Sequence, residues 1–167
     1  MNNTHFSQYI PPTLFHCVTG TWTQAAGAVA GTIAKHVAAT DEASVINIPV
    51  VMPSNSVDLQ GAKLVSIEVD FQILVAACDA LAAVVNKVTR GADGAVAVAA
   101  SLPFSYDTGH DTAPERIDVD KHRMTLTLTT PIWIDNDVYI LVEITADKAT
   151  TTTIDFLGAV ANYTLRG

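Results

Sequence analysis

K-H-R-M-T-L-T-L-T-T-P-I-W-I-D-N-D-V-Y-I-L-V-E-I-T-A, residues 121–146, decides the fold. In its first half Met124, Leu126 and Leu128 alternate with Thr125, Thr127 and Thr129; in its second, Val138, Ile140, Val142 and Ile144 share one parity. Period-two alternation sends such side chains to one face of a strand. Between the halves, Asp135-Asn136-Asp137 offers short side chains that tolerate left-handed backbone and bond nearby amides, so the stretch predicts a β-hairpin. An isolated hairpin is marginal in water, so a second sheet must cover its apolar face.

The same alternation recurs in residues 64–74, where Val65, Ile67, Val69, Phe71 and Ile73 oppose Ser66, Glu68, Asp70 and Gln72. Shorter β runs are expected at 14–24, at 32–37 after a glycine turn, and at 44–52, where Pro49 marks an edge or bulge. Residues 77–90 fit helical spacing through Cys78, Leu81, Val85 and Val88, but read better as a turn at 76–79 and a strand at 84–89. A strand at 95–106 is interrupted by Pro103, and a last one at 154–165 follows a turn at 150–153. Pro53-Ser54-Asn55-Ser56 is a loop, and 107–120 is the longest polar loop. Residues 1–12 form an extended N-terminal arm ending in Pro11-Pro12, ahead of a single domain at 13–167. Eight or nine strands with no firm helix predict an all-β fold, an antiparallel β-sandwich. A jelly roll is the first choice and another sandwich topology the second.

Composition bounds the partners. Of 167 residues, 49% are hydrophobic and 16% charged, against about a quarter charged in an average soluble chain. The mean hydropathy is +0.30. Gln72, Asp79, Asn86 and Lys87 break the most apolar region, so no run approaches the roughly 20 residues of a membrane helix. Sister molecules are then expected to cover the surplus apolar surface, in a homo-oligomer taken to be a trimer. A net charge of −8 opposes direct nucleic-acid binding. The opening M-N-N-T-H-F-S-Q-Y lacks the regions of a secretion signal, which predicts synthesis in a cytoplasm. Cys17 and Cys78 read as free thiols.

No motif supplies catalysis or a cofactor site. Asp107-Thr108-Gly109 matches the catalytic triplet of aspartic proteases, but it occurs once, where two carboxylates must share a proton. Asp118-Val119-Asp120 resembles the start of a calcium loop, yet Arg123 and Thr129 stand where an EF-hand needs Gly and an acid. Calcium held between subunits by the 107–120 acids is a further reading of that loop. His110 and His122 flank it without zinc-ligand spacing. An enzyme would require a polar pocket joining one of them to a buried acid. Trp133 and Tyr139, near the expected hairpin tip, are the aromatics placed to face a sugar or receptor. Phe6, Tyr9 and Ile10 give the arm apolar contacts for assembly.

G-T-W-T (20–23), F-S-Y-D-T-G-H-D-T (104–112), the 125–137 stretch and N-Y-T-L-R (162–166) together resemble small β-rich proteins encoded by bacteriophages and prophages. That resemblance implies a structural virion protein, of the capsid-decoration, head-fibre or tail-attached kind. Its partners would be other virion proteins such as the major capsid protein, and it carries over no functional residue. A carbohydrate- or receptor-binding sandwich is the first alternative, and a cellular shell or filament subunit the second.

Overall fold

Residues 121–133 and 138–148 both form strands, but they do not pair with each other. The computed structural model describes residues 4–26, 30–50, 62–134 and 137–165. Twelve strands are found among them: β1 (Thr4–Ile10), β2 (His16–Thr19), β3 (Trp22–Ala26), β4 (Ala30–His36), β5 (Glu42–Val50) and β6 (Ala62–Leu74). They continue with β7 (Ala80–Thr89), β8 (Val98–Leu102), β9 (Phe104–Tyr106), β10 (Lys121–Trp133), β11 (Val138–Lys148) and β12 (Thr153–Leu165). One short helix, α1 (Ala113–Ile117), interrupts the long polar loop. Thr112 caps it, exchanging hydrogen bonds with Glu115 in a capping box.

The strands form a seven-stranded sheet, β3-β4-β12-β6-β10-β9 with β1 also on β12, and a five-stranded sheet, β2-β5-β11-β7-β8. All pairings are antiparallel, and the fold is an all-β sandwich as the sequence predicts. Eight strands nest as β4·β12, β5·β11, β6·β10 and β7·β8. First meets eighth, second seventh, third sixth and fourth fifth: a long antiparallel hairpin rolled up once, the jelly-roll order. The count exceeds nine because residues 14–24 and 95–106 each divide between the sheets and the N-terminal arm adds a strand. The first division falls at Gly20 (φ +94°), where a Cβ would stand 2.5 Å from that of Ser44; the second falls at Pro103.

The hairpin expectation is therefore corrected. β10 lies in one sheet between β6 and β9, and β11 lies in the other between β5 and β7. Met124, Leu126 and Leu128 join Ile140, Val142 and Ile144 in one buried cluster, so the two apolar faces belong to facing layers. Of the expected turn, Asp135 and Asn136 lie outside the described residues, as does the loop Pro53–Ser56.

The N-terminal arm is extended over its described residues and lies on the domain itself. Residues 4–10 are β1, paired with β12 from Thr4↔Leu165 to Ile10↔Ala159. Phe6 stacks on Tyr163 at 4.8 Å, and Tyr9 Oη donates to the Leu157 carbonyl at 3.0 Å. Tyr9 lies over Gly158 (φ +144°), where a Cβ would come within 2.6 Å of its ring. Ile10 is buried in the domain's own core. Residues 80–89 form one strand, ending the ambiguity with helix. Pro49 sits opposite Leu141, beyond the Val45–Asn47 stretch that β2 contacts, so β5 needs no N–H there.

Candidate functional site

Three of the seven buried polar or charged residues among those described are histidines, and a row of rings joins them. His36 on β4 lies 4.8 Å from Trp22, which lies 5.8 Å from Phe156 on β12. Phe156 is 5.7 Å from Phe71 on β6, and Phe71 stacks on His122 of β10 at 4.6 Å. His110 completes the row at 5.4 Å from His122. Strand register creates this line: Trp22↔His36, Phe156↔Phe71 and Phe71↔His122 are cross-strand partners. His122 shares parity with Met124, Leu126 and Leu128, which sends it inward.

At one end, four groups form a chain. Asp107 Oδ1 is 2.8 Å from His110 Nδ1, His110 Nε2 is 3.2 Å from His122 Nδ1, and His122 Nε2 is 3.2 Å from the Asp118 carbonyl. Both imidazoles are buried. Asp107 also accepts the N–H of Gly109 at 3.0 Å and of Thr125 at 2.6 Å. Burial pushes its carboxyl up, but the bonds from Thr125, His110 and Gly109 outweigh that and hold it below the usual carboxylate range. Arg116 fastens the corner to both sheets. Its Nη1 donates to the His110 carbonyl at 2.7 Å and its Nε to the Leu81 carbonyl on β7 at 3.1 Å. Its guanidinium lies 4.4 Å over the Tyr106 ring. An open hollow of about 220 Å³ borders the pair, lined also by Glu115, Asp118, Asp120 and Lys121.

At the other end, His36 Nε2 meets Glu42 Oε2 at 2.8 Å, and its buried Nδ1 has no partner. Burial lowers the His36 pKa, against the hydrogen bond and charge of Glu42 and with help from the Lys148 ammonium. Glu42 is held below the usual carboxylate range by the bond from His36 and then by the Thr21 N–H. Lys148, also buried, donates to the carbonyls of Thr40, Ala149 and Thr150 at 3.5, 3.1 and 3.4 Å.

The sequence-derived candidates scatter. Asp107 of the D-T-G triplet anchors a turn and the end of β10's ladder. Asp120 accepts its neighbour's Lys121 N–H at 2.7 Å, and Glu115 accepts the Thr112 N–H at 3.0 Å, so these acids serve local backbone. Among the described residues no group of three or more His, Cys, Asp or Glu side chains gathers as metal ligands. His110 does meet an acid, though the hollow beside it has no Ser, Thr or Cys in its lining. Trp133 and Tyr139 are 37% and 42% exposed but lie in different sheets, Trp133 with Lys63 5.7 Å over its ring. Phe6 is half-buried, Tyr9 is 57% exposed and Ile10 is enclosed. Both cysteines are free; burial raises Cys17 and pushes the Cys78 thiol up to about 12. No described helix is long and apolar enough to cross a membrane. No protein-family model matches the chain, and no curated protein does.

Proposed function

We propose that this chain is a structural, non-enzymatic subunit that assembles with copies of itself, in the manner of the virion proteins its motifs resemble. The observation that carries the reading is the end of the five-stranded sheet. β8 is its last strand, and the run Ala95–Val96–Ala97–Val98–Ala99–Ala100–Ser101–Leu102 contains no charge in a chain that carries 26 (9 basic plus 17 acidic residues). Val96 is 89% exposed and Val98 67%. At the opposite end of this edge, past the Val85↔Leu102 pair where β8 stops, Ala80, Ala82 and Val84 of β7 are exposed too.

Natural sheets blunt such an edge with lysine, proline or a bulge, because its unpaired N–H and C=O groups accept another strand. Here the edge is left uncharged. Copies that each carry −8 approach most easily where neither presents charge. A second copy is the occupant this surface fits. Antiparallel pairing of two β8 edges would relate the copies by a two-fold axis, whereas a trimer would bury the β7–β8 face against a different surface.

Light scattering on the full chain tests the reading. An oligomer is expected, with Val98→Lys lowering the mass toward one protomer while the far-ultraviolet spectrum stays β-rich. A monodisperse monomer at working concentration would remove the proposal. A carbohydrate- or receptor-binding module is the second reading, supported by the exposure of Trp133 and Tyr139. A cellular shell or filament subunit would use the same edge.

A further inference from the structure

We propose that the His110–His122 pair is a proton-binding site. It holds one hydrogen beyond the two of a neutral pair, and that proton latches the 107–120 segment across both sheets. The Asp107 carboxylate and the Asp118 carbonyl can only accept, so His110 Nδ1 and His122 Nε2 must each carry a hydrogen to bond them. The inner contact at 3.2 Å needs one hydrogen more. Three contacts among four ring nitrogens require three hydrogens, and two neutral imidazoles bring two. Without the third, two lone pairs face each other across 3.2 Å; with a fourth, two N–H groups do. Only the singly charged pair completes the chain.

The surroundings favour that charge. Asp107, Glu115, Asp118 and Asp120 on the segment outnumber Arg116 and Lys121, while Asp70 of β6 is already paired with Arg123 at 2.8 Å. The Leu81 of β7 that accepts from Arg116 and the Leu157 of β12 that borders the hollow on the other side of His122 are both uncharged. A nearby excess of carboxylate stabilises an imidazolium. Mechanically, His122 is stacked on Phe71 in the core, and His110 is held through Arg116 to β7. The shared proton thus adds the side-chain link at the middle of the segment, between the Asp107–Thr125 and Asp120–Ile73 bonds that tie its two ends to the seven-stranded sheet.

Long-range ¹H–¹⁵N spectra of the full chain, labelled at histidine and freed of metals with chelator, count the ring hydrogens at about pH 7. Three on four nitrogens are expected, with amides of 107–120 protected from exchange. Two hydrogens with equal protection would overturn the proposal. When acid adds the fourth, exchange in the segment should rise about tenfold, the equivalent of one hydrogen bond. His122→Phe keeps a ring on Phe71 and should exchange at the fast rate without acid. Unchanged protection in that variant would sink the latch. One equivalent of Zn²⁺ should leave all three hydrogens in place; loss of the inner one to zinc would make the pair metal ligands instead.

Discussion

His36 and the His110–His122 pair close the two ends of one row of rings, and all three are buried, yet their partners call for different charge. His36 has one acceptor, Glu42, and a buried Nδ1 with no hydrogen-bond partner. A neutral ring fits; a proton on Nδ1 would leave an N–H without an acceptor in the interior. The pair has an acceptor at each outer nitrogen and a gap between the inner two, so it is one hydrogen short when neutral. Burial alone therefore does not set the charge of a histidine. The number of acceptors left to it after folding does.

The row itself is the shared support, and removing its middle breaks the comparison most severely. Phe71 is fully buried and touches both Phe156 and His122. Phe71→Ala should cost about 3–5 kcal/mol, the usual range for a large aromatic replaced in a core. Urea unfolding measures it. A loss under about 1 kcal/mol would mean that the rings do not support one another.

pH sharpens the comparison next. The folded pKa of His36 lies below the unfolded 6.5, so as pH falls the unfolded chain takes up this proton first. Stability from neutral His36 is complete above 6.5 and drains below it, down to the folded value. The slope is at most about 1.4 kcal/mol per pH unit for one group. Glu42 extends the decline, because its carboxyl sits below 4.5 when folded and its contribution is lost as pH falls through that lower range. His36→Phe should flatten the upper part of the denaturant-midpoint curve and shrink the lower part as well, because it also removes the hydrogen bond that does most to hold Glu42 down, leaving the Thr21 N–H. A slope unaltered by the substitution would assign the acid sensitivity elsewhere.

Much of this was legible in the sequence, and what was not has one cause. Strand parity at 122–128 and at 138–148 already points His122 and Lys148 inward with Met124 and Ile144. Parity is the same, however, whether two strands pair side by side or face each other across a core, so the hairpin and the sandwich layers read alike. The same blindness hid β1. Its spacing showed an extended segment, but nothing local says that the edge of β12 beside Gly158 accepts it. Nor did the sequence join His110 to His122, since the turn held by Asp107 brings them together. Histidines were visible as candidates; their partners depend on pairings remote in the chain.

Asp107 and Asp118 close the pair's outer ends unequally, and that asymmetry gives the smallest effect. Asp107 is bound by its carboxylate, which takes three donors. Asp118 is bound mainly by its backbone carbonyl at 3.2 Å; its carboxylate is 3.5 Å from His122 and its side chain is 63% exposed. Water and salt screen such a charge, so Asp118→Asn should change stability by less than about 1 kcal/mol, and less still at high ionic strength. The carbonyl stays where it was, and the three ring hydrogens should stay with it. Urea midpoints at low and high salt, read beside the ring-nitrogen spectrum, check both statements. A loss of about 2 kcal/mol or more would show that the carboxylate closes this end, making Asp118 the equal of Asp107.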